Sequence, residues 1–211
     1  MNEMSPRSGL KRRGAAAPQP PTMLSHAAWV THDVEATVEF YTKILGMELV
    51  STVIDDRVPS TGDDFPYFHL FFRMRDGSTV AFFESPGVPE RAQPSHPCYN
   101  VFDHFAMQVD GPEDVKRWHG WLKQNGVDVV GPALHNGLIM SIYFYDPNGL
   151  RLEITTPLDP DWNNHVDNAY ADLDLWVNAK KAAIREGRDV KQAMIELTRK
   201  IRKERQPNAP A

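Results

Sequence analysis

Apolar and polar residues alternate along most of residues 24–157, and the alternation twice gives way to a helical period. The first strand pattern is LSHAAWV, residues 24–30. The helical pattern VEATVEFYTKILG follows it, beginning after Asp33, a suitable N-cap, and ending at Gly46. Three further strands are predicted at residues 47–54, 66–74 and 78–85. The predicted order of elements is therefore βαβββ.

The same order recurs in the second half of the chain. A strand at residues 103–109 precedes a helix from Pro112 to Asn125. Three strands are then predicted at residues 127–131, 138–145 and 150–156. Two units of similar length constitute an internal repeat, which constrains the fold more than any single motif. The repeat predicts module one at 23–86, a proline-rich linker at 87–101 and module two at 102–157.

The two ends of the chain have a different character. Residues 1–22 are rich in Pro, Ala, Arg and Ser and predict a disordered tail. Residues 158–211 lack a strand pattern and predict a helical C-terminal extension, with helices at 172–186 and 189–205. Only the central region is thus expected to form a β-rich domain.

Composition narrows the classes of function. The net charge of −5 over 211 residues gives no basic face for nucleic acid, and no apolar run is long enough to span a membrane. Cys98 is the only cysteine, which excludes an internal disulfide and suits a reducing compartment. We therefore expect a cytoplasmic protein with neither nucleic acid nor a membrane as partner.

Matched imidazoles and carboxylates mark the two modules. His26 and His104 stand near the start of each first strand, and Glu84 and Glu153 near the end of each last strand. A single strand histidine is usually a hydrogen-bonded residue of the core or rim. Four such residues in a repeat instead predict one cavity between facing sheets. Two histidines with a carboxylate suit a divalent first-row metal and leave positions open for substrate.

The two hairpins add further candidates. A two-residue turn at Asp76-Gly77 would pair His69 with Glu84 on one face of the sheet. A three-residue loop at residues 147–149 would pair Tyr143 with Glu153. A loop that differed by one residue would move either group to the opposite face.

These residues resemble the vicinal-oxygen-chelate superfamily, which includes glyoxalase I, extradiol dioxygenases, methylmalonyl-CoA epimerase and bleomycin-resistance proteins. The resemblance covers about residues 24–157, most strongly in HDVEATVEFYTKILGMELV and YFYDPNGLRLEI. It implies an α+β fold in which two βαβββ modules form an eight-stranded, incompletely closed barrel around a metal.

The extradiol dioxygenase pattern is reproduced by His135, Tyr143, the Asp-Pro and Gly of the following turn, and Glu153. This resemblance implies that His26, His104 and Glu153 hold Fe(II) while His135, expected in a loop over the cavity, and Tyr143 support a bound catechol and oxygen. The acid–base histidine of that family has no counterpart in STVAFFES, and His69 on the neighbouring strand is our candidate for its role. The leading prediction is an Fe(II) extradiol-type dioxygenase.

Glu84 favours an alternative. It stands where glyoxalase I has its additional carboxylate ligand, which implies a metal-dependent isomerase or lyase acting on a carbonyl. Mn, Ni, Co and Zn then join Fe(II) as possible metals. A non-catalytic protein that binds a small molecule in the same cleft ranks lower. Related proteins build their barrels within or between chains, and a homodimer is expected here.

Overall fold

A computed structural model of the chain describes residues 19, 21–90, 92, 94–135 and 137–205. Eight strands and five helices lie in these ranges. The strands are β1 (His26–Val30), β2 (Glu48–Asp55), β3 (Tyr67–Arg73), β4 (Thr79–Glu84), β5 (Phe105–Gln108), β6 (Val130–His135), β7 (Ile139–Tyr145) and β8 (Arg151–Pro157). The helices are α1 (Val34–Glu39), α2 (Cys98–Phe102), α3 (Pro112–Gln124), α4 (Val166–Arg185) and α5 (Val190–Arg205). The predicted tail over residues 1–22 lies outside the described residues except at 19, 21 and 22.

The strands form two four-stranded mixed sheets with the same topology. Their orders are β1-β4-β3-β2 and β5-β8-β7-β6, and in each sheet the first strand runs parallel to the last strand of its module. This arrangement confirms the α+β fold with two βαβββ modules. Neither sheet closes on itself, as expected for an incompletely closed barrel.

Helix α1 begins and ends where its sequence dictates. The Asp33 carboxylate accepts a hydrogen bond from the Ala36 N–H at 2.9 Å, which satisfies one of the unpaired amides of the first turn. The helix then widens into a π-helical turn, Phe40–Ile44, which places Tyr41 in the core. Gly46, at a φ of 68°, turns the chain into β2.

The buried side chains lie between the sheets and their helices. They come from alternate positions of the strands, as the period of two requires. The fully buried members on the strands include Leu70, Phe72, Val80, Phe82, Ile142 and Leu152. The opposite face of each sheet, which carries His26 and His104, is therefore the face available for a site.

The two modules meet through aromatic and polar contacts. The rings of Trp29 and Phe105 lie 5.4 Å apart, and the Tyr41 hydroxyl donates to the buried Asp146 carboxylate at 3.2 Å. Burial raises the pKa of Asp146 above its ordinary value, although Asn148 and Leu150 also donate to this carboxylate. The Asp-Pro-Asn-Gly turn thus joins module two to the helix of module one.

The first hairpin differs from its prediction by one residue. The Met74 N–H donates to the Ser78 carbonyl, so the loop contains the three residues 75–77. Asp76 stabilises this loop by accepting from both the N–H and the hydroxyl of Ser78. His69 consequently pairs with Phe83, and the predicted pairing of His69 with Glu84 was wrong.

Three further boundaries differ from the sequence prediction. Strand β6 begins at Val130 and contains a bulge at Gly131, where a Cβ atom would lie 2.8 Å from the Ser141 carbonyl oxygen. The predicted linker contains the short helix α2, and α4 begins at Val166. Helices α4 and α5 belong to a second compact unit, in which Ala183, Ala193 and Met194 are buried.

No helix in the part of the chain that the structure describes combines the length and the apolar composition needed to span a membrane.

Candidate metal centre

His104 and Glu153 are brought together by the parallel pairing of β5 with β8. Ala106 lies opposite Glu153 in this ladder, so His104, two residues earlier, projects from the same face. The Nε2 atom of His104 lies 2.7 Å from Oε2 of Glu153. The Glu153 side chain is only 3% exposed. A buried carboxylate therefore faces an imidazole on the open side of the second sheet.

The hydrogen bonds around His104 and Glu153 leave one atom of each side chain available to a cation. Nδ1 of His104 lies 2.7 Å from the Phe102 carbonyl oxygen. Since a carbonyl only accepts, Nδ1 carries the hydrogen, and Nε2 is the ring nitrogen that faces the carboxylate and that a metal would bind. The other oxygen, Oε1 of Glu153, is buried and has no hydrogen-bond partner among the described residues.

A divalent cation fits this donor set. It would neutralise the buried carboxylate and take Nε2 of His104 as a ligand. The hydrogen bond from Nδ1 to a backbone carbonyl is the kind of contact that orients metal-binding histidines. His104 and Glu153 therefore have the chemistry of two metal ligands.

Tyr143 and His135 flank this pair. Tyr143 lies directly opposite Glu153 in the antiparallel pairing of β7 with β8, as the three-residue loop predicted. Its hydroxyl lies 2.8 Å from Nε2 of His135. Burial raises the pKa of Tyr143 above its ordinary value, and the charge of Glu153 raises it further. His135 is the last residue of β6, so its predicted place in a loop was wrong.

His26 and His69 form a second pair on the first sheet. Their ring centroids are 6.1 Å apart, and both rings contact Phe71. His69 is buried, stacks on Phe83 and has Nδ1 2.9 Å from the Phe82 carbonyl oxygen. Burial lowers the pKa of His69, which favours the neutral ring with a bare Nε2. This ring is suited to accept a proton.

The chain brings the predicted ligands together only in part. Within the described ranges, no group of three or more His, Cys, Asp or Glu side chains is close enough to hold a metal ion. The single cavity predicted for the four ligands is therefore not formed by the described residues of one chain, and closure of the barrel between two chains stays a prediction. His26 lies with His69, and His104 lies with Glu153, each pair on its own sheet.

Glu84 lies on the opposite face of its sheet from His26. It shares that side of β4 with the core residues Val80 and Phe82. Its Oε1 accepts a hydrogen bond from the Val34 N–H at 3.1 Å, at the first turn of α1. The true counterpart of Glu153 in module one is Ala81, because Ala28 pairs with Ala81 as Ala106 pairs with Glu153. The predicted equivalence of the two glutamates was wrong.

Arg151 is a residue of this face that the sequence analysis missed. It lies two positions before Glu153 on β8, and its guanidinium carbon lies 4.1 Å from the centroid of the Tyr143 ring. It also donates a hydrogen bond to the Val101 carbonyl. The alternation of β8 placed Arg151 on the face of Glu153, and this signal could have identified it.

Comparison with known proteins identifies the domain. Residues 23–154 match the Glyoxalase/Bleomycin resistance protein/Dioxygenase superfamily. The putative ring-cleaving dioxygenase MhqA of Bacillus subtilis is 27% identical over 135 residues, which are 63% of this chain and 39% of MhqA. The metallothiol transferase FosB of Staphylococcus epidermidis is 28% identical over 137 residues, which are 64% of this chain and 82% of FosB.

A solved structure shares the fold. It is the glyoxylase/bleomycin resistance protein/dioxygenase domain from Frankia sp. EAN1pec, which superposes with a TM-score of 0.52 at 16% identity and covers 65% of this chain and 98% of that domain. The chain thus spans most of FosB and of this domain, but less than half of MhqA. With the match over residues 23–154 and the paired βαβββ sheets, the chain belongs to the Glyoxalase/Bleomycin resistance protein/Dioxygenase superfamily.

Proposed function

We propose that this protein is an Fe(II)-dependent dioxygenase that opens the ring of a catechol-like small molecule. One observation carries the proposal: the buried Glu153 has an oxygen without a partner among the described residues and faces Nε2 of His104. Two histidines and one carboxylate are a ligand set typical of non-haem Fe(II) oxygenases. A reducing compartment such as the cytoplasm would maintain the ferrous state.

A second copy of the chain supplies the third ligand in this proposal. His26 lies on the exposed face of β1, away from His104 and Glu153, and would reach them from a partner chain. The outer strands of both sheets carry exposed apolar side chains that a partner would cover. They include Val53 and Ile54 on β2 and Val130 and Leu134 on β6. The proposed active form is therefore a homodimer with His26 of one copy beside His104 and Glu153 of the other.

The remaining residues have roles that follow from their contacts. When bound, the metal would supply chelation of two adjacent substrate oxygens and the redox chemistry with O₂. Tyr143 and His135 are hydrogen-bonded to each other and would orient the substrate hydroxyl and the oxygen on the face of Glu153. His69 of the partner, on the sheet that carries His26, would accept a proton from the substrate.

MhqA supports the dioxygenase reading, since its name is that of a putative ring-cleaving dioxygenase. The isomerase or lyase alternative depended on Glu84 as an additional ligand. Glu84 binds the first turn of α1 on the other face of its sheet and is not part of the proposed set.

Oxygen consumption tests this function. We expect protein loaded with Fe(II) under anaerobic conditions to take up O₂ when a catechol is added, with one O₂ consumed per ring opened and both oxygen atoms in the product. Tyr143→Phe should lower the rate by about 10²-fold, because it loses the hydroxyl that contacts His135. The measurement uses an oxygen electrode and the absorbance of the ring-opened product.

The exposed Tyr170→Phe in α4 is a matched control and should leave the rate unchanged. An absence of uptake with every vicinal diol, together with turnover of a hemithioacetal, would contradict the proposed function.

A further inference from the structure

We infer that Arg151 is a binding residue for a carboxylate on the substrate. The inference rests on the proposed function, since it places the two adjacent oxygens of the substrate at the metal that His104 and Glu153 would hold. It adds a second recognition point, two residues away along β8. The substrate class is then a catechol that carries an acidic group on its ring or on a short side chain.

The position of Arg151 is fixed by β8. Residues two apart on a strand project from the same face and are separated by about 7 Å. Arg151 therefore lies beside Glu153 on the open face of the second sheet, at a distance comparable to one substituted aromatic ring. A substrate bound to a metal held by Glu153 would extend its ring substituent toward Arg151.

The Arg151 guanidinium is positioned by contacts within the chain, without a bound ligand. It lies over the Tyr143 ring, 4.1 Å from the centroid, and donates one hydrogen bond to the Val101 carbonyl. The Tyr143 ring is itself tied to His135 through its hydroxyl. Because less side-chain freedom is then lost on binding, a pre-positioned arginine is a stronger anion receptor than a mobile one.

The donors of Arg151 are only partly used. A guanidinium has five N–H donors, and the Val101 carbonyl accepts from one nitrogen. Arg57, Arg73 and Arg75 each pair with a carboxylate, whereas Arg151 has no ion-pair partner among the residues that the structure describes. Its remaining N–H groups can therefore bind a carboxylate in a two-point contact.

The net charge of the metal-bound site also supports a carboxylate on the substrate. Glu153 contributes the one negative charge of the proposed ligand set, because His26 and His104 are neutral as ligands. A divalent metal together with Arg151 outweighs this charge. The site would hence carry a net positive charge, which favours an anionic substrate over a neutral one.

Binding without turnover tests this inference. Two diols of similar size are compared: 3,4-dihydroxyphenylacetate, which has a carboxylate, and 4-ethylcatechol, which is neutral. We expect the metal-loaded, oxygen-free protein to bind the carboxylated diol about 10- to 100-fold more tightly, measured by calorimetry. Arg151→Met should abolish this preference and leave the affinity for 4-ethylcatechol within about threefold. Arg151→Lys should retain part of the preference, because it keeps the charge without the two-point geometry.

Arg57→Met is the control, since Arg57 is exposed and pairs with Asp64 far along the chain from β8. It should leave both affinities unchanged. Equal losses for both diols in Arg151→Met would show that Arg151 only supports Tyr143 and would overturn the inference. A preference for the carboxylated diol that survives in Arg151→Met would also overturn the inference. So would an unmodified protein that binds both diols equally. If the protein prefers the carboxylated diol but takes up no oxygen, the role of Arg151 is supported and the proposed dioxygenase reaction is contradicted. If it binds neither diol, both the role of Arg151 and the proposed function are contradicted.

Discussion

Replacing Glu153 with Gln is expected to abolish metal retention and to lower oxygen uptake by at least about 10³-fold. Loss of a residue that only supports a metal ligand typically costs about 10- to 100-fold in affinity, and the loss of a charged ligand should cost more. Glutamine has nearly the same shape, so the effect isolates the charge. Metal content by mass spectrometry and oxygen uptake measure the two consequences.

The same substitution should stabilise the metal-free protein. The side-chain amide introduced by Glu153→Gln can donate a hydrogen bond to Nε2 of the neutral His104 ring, which lies 2.7 Å from Oε2 of Glu153 in the native chain. The substitution also removes the charge from a buried oxygen that lacks a partner among the described residues. We expect a gain of about 1–2 kcal/mol in the free energy of unfolding without metal, measured by urea denaturation.

Glu84→Gln is the matched control for Glu153. It should retain the metal and the activity, because Glu84 contacts the Val34 N–H at the first turn of α1 on the other face of the sheet. A Glu153→Gln protein that retains the metal as tightly as the unmodified protein would contradict the assignment of Glu153 as a ligand.

Mixing two inactive variants is the second prediction with a large effect. His26→Ala and Glu153→Gln should each be inactive alone. In a mixed dimer, one site would contain both substitutions and the other would contain intact His26, His104 and Glu153. At equal amounts and free exchange, half of the dimers are mixed, so the activity should recover to about a quarter of the unmodified value.

His104→Ala mixed with Glu153→Gln provides the control. Both residues lie on the second sheet, so every site in that mixture would remain damaged and no activity should return. Exchange of differently tagged chains, followed by native mass spectrometry, verifies that mixed dimers form. Mixed dimers of the first pair without recovered activity would show that His26 does not join the site of the partner chain.

The sequence was sufficient for the architecture and for the pairing of Tyr143 with Glu153. Alternation and helix signals located both modules, because each strand has one buried face. Tyr143 was correctly paired with Glu153, since Pro147, Asn148 and Gly149 specify a three-residue loop with a left-handed glycine. The hydrogen bond between His135 and Tyr143 was not predicted, because His135 was expected in a loop and instead ends β6.

Other features depended on contacts that periodicity does not encode. The Asp76-Gly77 pair indicated a two-residue turn, but Asp76 binds the N–H and hydroxyl of Ser78, and Arg75 joins the loop. The extra loop residue shifts the strand register by one, so Glu84 lies on the face of the sheet that contacts α1. Helix α2 was missed because its proline-rich surroundings indicated a surface linker. The separation of His26 from His104 depends on how the two sheets meet, which a repeat alone does not determine.

A crystal structure of the metal-loaded protein, with anomalous scattering recorded at the absorption edge of the metal, tests the shared site most directly. We expect one anomalous peak per chain, about 2.0–2.2 Å from Nε2 of His104 and a carboxylate oxygen of Glu153 in one copy and from a ring nitrogen of His26 in the other. A peak whose ligands all come from one chain would contradict the shared site, and so would a peak that lies away from Glu153.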